Sequence, residues 1–473
     1  MLKEDLRRRA LAIVTIPPDF KPLIEEYIEG ENGEGAALFF WVKEESDEGI
    51  SIELDLEGNL IKLSVELNHD ACELVPLDIA ERRERAEQFL LKFYPDALED
   101  LTFYEGKELS HFYRFYYERL VMGLPLRHAG CMINVDSNGV IVGFSYTKLR
   151  DLPEIPTTLI TKEQLIEYIK NQLNFQLQIV NHYSSGDSVE GRLRVVYEPE
   201  PFFMSFRANA LEPTLSIIHD DEVSEKTIPL SSPSYKAIEA DLTLNEIIGI
   251  PDDMEIIREV DMGEETGVVW RDKNWQATVQ DLSINGFFKK QTEETVKAFV
   301  SKKTGKVRSF SWFKERSGNL ELTRKECLQV ATDFLQLIIP NSLDYLNLIV
   351  QEEEEGTQNK AVFSFRIHNG NGIPVESEII IVSVNPKTGQ IDYYSGPSFE
   401  LDQLRTTPGE PTVSREEASK IFLDHLDFEL SWEKDYEGEE EPYVLVYKAC
   451  DQHKRIPIRY IDAMNSELIY GGS

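Results

Sequence analysis

The chain has 473 residues, 85 acidic and 49 basic, with a net charge of −36 and a hydrophobic content of 41%. That apolar fraction builds packed cores and excludes a disordered chain, and the length allows two to four domains. A polyanion of this size is repelled by phosphate backbones and anionic leaflets, which excludes nucleic acid and membrane surfaces as favoured partners.

In chain order, residues 2–16 combine helix formers with an apolar patch and close at Ile16-Pro17-Pro18-Asp19. Residues 36–43 read as a strand. In 50–66, Ile50, Ile52, Leu54 and Leu56 alternate with polar residues, Gly58 turns the chain and 60–65 return, a half-buried hairpin. Asp78 and Glu81 then spell a capping box, and Ala86, Phe89, Leu90 and Phe93 form a helical stripe that Pro95 stops. Strands follow at 111–120, 125–135 and 140–147. The last two form a hairpin that reads Gly123-x-Pro125, an apolar run, Val135-Asp136, Gly139 and a second apolar run. A third unit opens with a box at Thr161 and Gln164 and a stripe of Leu165, Tyr168, Ile169 and Leu173. Its strands fall at 193–197 and 202–208, and it closes at Asn209-Ala210 and 214–218. Acids, serines and prolines then replace the periodicity over 218–234, which reads as a linker.

The same plan then repeats. Ile250-Pro-Asp-Asp253 matches Ile16-Pro-Pro-Asp19, and Gly305 matches Gly58. The box Thr323/Glu326, the stripe Ala331, Phe334, Leu335 and Ile338, and the stop Pro340 each lie 245 residues after their counterparts. Gly372 and Pro374 match Gly123 and Pro125. The box Ser414/Glu417 and the stripe Ala418, Ile421, Phe422 and Leu426 follow, and Asp462-Ala463 matches Asn209-Ala210. The offset changes by a few residues between neighbours after one larger insertion. An ordered series of caps, stripes and stops is the signature of internal duplication. The expected organisation is a first half at 1–222, a linker at 223–234 and a second half at 235–473. The expected fold class is α+β, with each half built of helix-plus-antiparallel-sheet units.

Within each half the shorter unit also recurs, as a helix, strands and a hairpin reading Val-Asp-x-x-Gly; Asp462 to Ile469 is a degraded copy with Ser466 at the glycine place. The pattern resembles the YcdB/YcdC repeated domains of Gram-positive bacteria, whose units look like PepSY-type, cystatin-like modules. The resemblance covers nearly the whole chain, as two copies. PepSY-type modules occur in protease propeptides and sensor ectodomains, which implies binding or inhibition rather than chemistry. The resemblance supplies no catalytic residues.

The residues themselves point the same way. Walker, H-E-x-x-H and G-x-S-x-G motifs are absent from the sequence. Cys72, Cys131, Cys327 and Cys450 form no C-x-x-C pair, so neither a zinc site nor a disulfide framework is expected. His128 and Cys131, three apart on a strand, face opposite ways; Cys131 and Cys327 read as core, and His368 with Asn369-Gly370 as a turn. Asp55, Asp136 and Asp462 recur at turns where Asn385 also serves, which suits a turn acceptor and not a general base. The aromatic run Phe112, Tyr113, Phe115, Tyr116 and Tyr117 covers both faces of one strand, and one face is a candidate stacking surface. The acidic runs at 25–34, 44–48, 220–222, 352–355 and 433–441 read as solvated loops without calcium-loop spacing. Residues 10–16 are too short and too quickly ended by proline for a signal peptide, and no run nears the roughly 18 apolar residues of a membrane span, so a cytoplasmic chain is expected.

No catalytic, cofactor-binding or metal-binding residue is assigned, and no cofactor is expected. The leading expectation is a non-enzymatic binding or regulatory protein, in the manner of a protease inhibitor, that takes an unidentified peptide or protein onto an exposed sheet edge. The alternatives are an enzyme with its site between the halves and a structural spacer.

Overall fold

The computed structural model describes residues 2–471 except 30–34, 45, 47, 68–75, 148–151, 183–191, 201–204, 215–225, 231–241, 277–280, 351–359 and 436–442. Helix α1 (Lys3–Ile13) leads into β1 (Phe20–Glu29), β2 (Gly35–Lys43), β3 (Gly49–Asp55) and β4 (Leu60–Glu66). Helices α2 (Ile79–Phe93) and α3 (Ala97–Asp100) precede β5 (Thr102–Glu108), β6 (Phe112–Val121), β7 (Leu124–Asp136) and β8 (Ile141–Tyr146). These strands form one antiparallel sheet in the order β1-β2-β3-β4-β8-β7-β6-β5. The alternation in β3 decides which face is covered: Ile50, Ile52 and Leu54 are buried with Phe39, Leu63, Phe115 and Phe144 against Leu6 and Ala10 of α1 and Ala86 and Leu90 of α2. Among the described residues, the opposite face carries no helix from this half. The acidic run at 25–34 begins in a strand rather than in a loop, because Glu25, Glu26 and Glu29 lie in β1 in register with β2.

The third unit of the first half holds α4 (Lys162–Gln172), β9 (Asn174–His182), β10 (Arg192–Glu200) and β11 (Ser205–Arg207), followed by β12 (Thr227–Pro229) inside the predicted linker. The second half opens with α5 (Leu244–Ile248), β13 (Met254–Asp261), β14 (Glu265–Asp272), α6 (Ile284–Thr292), β15 (Thr295–Ser301) and β16 (Val307–Trp312). It continues with α7 (Arg324–Ile338), β17 (Leu346–Ile349), β18 (Ala361–His368), β19 (Pro374–Asn385) and β20 (Gln390–Ser395). It ends with α8 (Arg415–His425), β21 (Leu426–Lys434), β22 (Tyr443–Asp451), β23 (Ile458–Asp462) and β24 (Leu468–Tyr470). The pairing β13-β14-β15-β16-β20-β19-β18-β17 repeats the first sheet strand for strand, with β12 added beyond β17. The fold is α+β and duplicated. The larger insertion is α6, which sits between β14 and β15, whereas in the first half five residues, 44–48, separate β2 from β3. Its approach segment crosses to the first half: Glu25 donates its backbone N–H to the Leu282 carbonyl at 3.0 Å.

The two third units do not each form their own sheet. β11 pairs with β22, and β23, which holds the same place in the second half, pairs with β10. α4 packs on β21, and α8 packs on β9. Each layer therefore takes its hairpin from one half and its helix and closing strand from the other. The exchange is reciprocal down to single bonds. Tyr197 donates its hydroxyl to the Val413 carbonyl at 2.8 Å, and Tyr447 donates to the Ile160 carbonyl at 3.0 Å. Ala208 donates its N–H to Leu445, and Ala463 donates to Val195. Ala208, and not Ala210, thus holds the place of Ala463, so the sequence match at Asn209-Ala210 is two residues out of register. The expected boundaries at 222 and 235 lie outside the described residues, and the core runs across the two halves: Leu165, Ile169, Phe175 and Phe206 share one cluster with Ala418, Phe422, Phe428 and Tyr447.

Candidate functional site

The predicted turn residues do turn chemistry. Asp55 Oδ1 accepts from the N–H groups of Glu57 and Asn59, Asp136 Oδ1 from Asn138 and Val140, and Asp462 Oδ1 from Met464 and Asn465. Asn385 Oδ1 accepts from Lys387 in the same way. Asp451 is a fifth case that the motif search missed, accepting from His453 and Lys454; those bonds hold its carboxyl below the usual range against the opposing effect of burial. His368 Nδ1 accepts from the Gly370 N–H at 3.0 Å, and burial lowers its pKa. Cys131, Cys327 and Cys450 are buried free thiols, and burial pushes the Cys131 thiol well up, which removes thiolate character. The side chain of His128, and Cys72, lie outside the described residues. Phe115 and Tyr117 are buried under α2, while Arg114 on the other face of β6 donates to Asn134 Oδ1 at 2.8 Å. Among the described residues, no group of three or more His, Cys, Asp or Glu side chains is placed to hold a metal ion.

Three features remain that could engage another molecule. The first is a groove of about 380 Å³ on the face of the first sheet away from α1 and α2. It is lined by Leu38 and Phe40 of β2, Ser51 and Glu53 of β3, Lys62 and Ser64 of β4, and Ile284 of α6. The Ile284 N–H is held by the Glu26 carboxylate at 2.9 Å, so the second half walls a groove in the first.

The second feature lies where β19 runs alongside β9, joined at Val375 and Ile179. Gln178 donates to Glu198 at 2.6 Å, and Arg459 donates to Glu376 at 3.1 Å and to the Tyr460 hydroxyl at 2.7 Å. Tyr460 in turn donates to Glu376. Burial, and then the Glu376 charge, raise the Glu198 pKa. This polar knot was invisible in the sequence, because 178, 198, 376 and 459 share no spacing and only the exchange brings them together.

The third feature is the set of strand edges. β5 and β13 each have one side without a strand partner among the described residues, β1 meets only the approach to α6, and β17 carries β12. A bare edge presents a row of unused N–H and C=O groups to any extended chain.

Comparison with known proteins places this architecture. A family model described as the YcdB, YcdC repeated domain matches residues 3–148 and 237–398, the stretches that hold the two large sheets. YcdB of Bacillus subtilis (strain 168), an uncharacterized protein, is 31% identical over 477 residues, spanning 99% of this chain and 98% of its own length. YcdC of the same organism, also uncharacterized, is 29% identical over 452 residues, spanning 95% and 96%. Among solved structures, the C-terminal domain of Bacillus megaterium YpeB aligns with 45% of this chain and 95% of its own at 11% identity and a TM-score of 0.26. With both repeats matched and relatives aligned from end to end, the chain belongs to the YcdB/YcdC repeated-domain family.

Proposed function

We propose that this chain is a non-enzymatic binding or regulatory protein that takes an extended segment of a peptide or protein onto a strand edge of one of its large sheets. The observation that carries the reading is β12, where the chain lays an extended segment of its own along β17. Main-chain bonds supply the affinity in such pairing and alternate side chains supply the choice of partner. Among the described residues no helix is long and apolar enough to cross a membrane. Free buried thiols fit a reducing compartment, which supports a cytoplasmic site of action.

The test is a peptide library displayed against the full chain, followed by backbone hydrogen exchange on the selected complex. Protection along an edge strand is the expected outcome. Selection of no peptide, or protection confined to the floor of the groove, removes the reading. A second reading, an enzyme acting between the halves, has one observation in its favour: β9 and β19, from different halves, run side by side at Ile179 and Val375, next to Gln178 with its partner Glu198 on one side and Glu376 on the other. For that reading, protection at Gln178, Glu198 and Glu376, lost in Glu376→Gln, is the result to look for.

A further inference from the structure

We infer that the face of the second sheet turned away from α7 is a docking surface for an acidic segment of a partner polypeptide. Its carboxylates meet Arg258, Arg271 and Lys297, and its apolar side chains meet Phe299 and Phe313. The surface is a sheet face and not an edge, so the inference stands apart from strand addition.

Register places the three cations together. Arg258 of β13 lies opposite Val269 of β14, and Val269 lies opposite Lys297 of β15. Arg271 is two residues beyond Val269 and belongs to the same face. Val268, Trp270, Val296 and Ala298 alternate with these positions and are buried in one core with Phe334 and Leu335 of α7, which turns the cations outward. Arg258 and Lys297 are two strand spacings apart, about 9–10 Å, with Arg271 beside them. The row continues through Ser311 of β16 to Tyr393 of β20.

The first half shows that the fold does not need these charges. Its sheet builds the same row from Ile24, Phe40, Ser51, Ser64 and Gly143, with the same register shift in the edge strand. Val42, next to Trp41, holds the place that Arg271 takes next to Trp270. Ile24, Phe40, Ser51 and Ser64 line the groove described above, so the two faces hold the same place and differ in charge. Three uncharged residues in one copy are three cations in the other, inside a chain of net charge −36.

The cations are also left without carboxylates. Among the described residues none of the three forms an ion pair, because the acids nearby are engaged elsewhere: Lys314 reaches Asp253, Asp272 and Glu294. Glu255 stands opposite Arg271 in register but forms no ion pair with it, and the charge of Glu293 is the one that reaches Arg271. The Arg271 guanidinium lies 4.0 Å from the centre of the Trp275 ring and donates to the Lys290 carbonyl at 2.7 Å. Its Nε is buried and has no hydrogen-bond partner among the described residues. Lys297 Nζ lies 5.2 Å from the centre of the Phe313 ring, and burial, then the charges of Arg271 and Arg258, hold its pKa below the usual lysine value. Cations held together on rigid strands repel one another, and an incoming carboxylate removes that repulsion.

Apolar side chains flank the charges. Phe299 is 37% exposed and Phe313 44%. Phe299 and Met262 lie over Gly267, where a Cβ would meet them at 3.5 and 3.7 Å. A long uniform polyanion would be repelled by the rest of the chain. A short acidic segment with aromatic neighbours meets the local charge and covers the apolar flank.

The experiment titrates the full chain against a fluorescein-labelled peptide, Ser-Phe-Asp-Glu-Phe-Asp-Ser, by fluorescence anisotropy. Two variants take the residues that the first half carries in the same register, Lys297→Ser and Arg258→Ile, with melting temperatures measured alongside. Lys297→Ser should weaken binding about tenfold, and Arg258→Ile, at an exposed position, about fivefold. Lys297→Arg keeps the charge and should bind as the parent does. Salt should weaken binding by the parent more than by Lys297→Ser. Lys170→Ser, at an exposed position on α4, should change nothing. No saturable binding by the parent, or equal binding by the parent and Lys297→Ser, overturns the inference. So does an equal loss in Lys170→Ser, or equal binding of the uncharged peptide Ser-Phe-Asn-Gln-Phe-Asn-Ser. Inorganic phosphate that displaces the peptide where sodium chloride of the same ionic strength does not would make a small anion the occupant and overturn the polypeptide assignment.

Discussion

Met122 and Gly123 form the two-residue turn between β6 and β7, and both take positive φ, 56° and 76°. That is the backbone of a type I′ hairpin, which Gly accepts freely and Met does not. Met122 is half exposed, so Met122→Asn should stabilise by about 0.5–1 kcal/mol through the backbone alone. Gly123→Val and Gly372→Val should each cost about 1–3 kcal/mol, although a Cβ at either place meets nothing within 4 Å. Urea midpoints check all three, and unchanged midpoints in the valine variants would show that these glycines are conformationally free. Glu198 gives a pH-dependent counterpart. Its folded pKa lies above 4.5, first through burial and then through Glu376, so folding takes up a proton as pH falls through that window. The contribution to stability is present in full below 4.5 and lost as pH rises through the raised value. Glu198→Gln should therefore raise the melting temperature at pH 7 and leave it nearly unchanged at pH 4. A loss at pH 7 would mean that the carboxylate is a net stabiliser. The turn acceptors were legible as sequence because each bonds residues two to four positions ahead, whereas the Glu198 network is long-range in every member.

At the scale of elements, capping was legible for the same local reason. Asp78 with Glu81, Thr161 with Gln164 and Thr323 with Glu326 each form the full reciprocal box. At Ser414 the forward bond to the Glu417 N–H, 3.2 Å long, is the one described. Asp78→Ala and Thr323→Ala should each cost about 1 kcal/mol, and Ser414→Ala less. The Asp78 and Thr323 helices pack in separate cores, so the double variant should show the sum within about 0.5 kcal/mol. A larger deviation in chemical denaturation would couple the two sheets energetically. α6 and β9 escaped the sequence reading. α6 has no counterpart in the repeat, and its exposed Phe288 breaks the inward stripe that marks the other helices. In β9, Phe175, Ile179 and Val180 are buried without a clean period of two, because that strand is covered on both faces where the halves meet.

At the scale of the molecule, duplication itself concealed the exchange. The third units carry matching stripes and matching strands, so a hairpin finds nearly the same complement in its own half as in the other. Periodicity identifies the faces and says nothing about which copy supplies the partner. The outcome changes what cutting the chain should do. A linker at 223–234 between two self-contained halves would release them on cleavage. Here β10 pairs with β23 and β11 with β22, and the hydroxyls of Tyr197 and Tyr447 reach into opposite halves. Trp432 adds a bond to the Val121 carbonyl, and Tyr443 adds one to the Arg127 carbonyl. Buried aromatic pairs cross the same boundary, with Phe175 against Phe422 and Phe206 against Phe428. Separation would expose all of these apolar faces at once, at a cost that scales with the area returned to water. A specific protease site placed within 231–241 should therefore be cut to completion while both fragments elute together at the volume of the intact chain. They should part only in denaturant, and should reassemble when it is diluted. The first fragment produced alone lacks β22 and β23 and should self-associate through β10 and β11, because an open edge with an apolar face recruits its own kind. Fragments that elute separately in native buffer would show that the exchanged layers contribute little to holding the halves together.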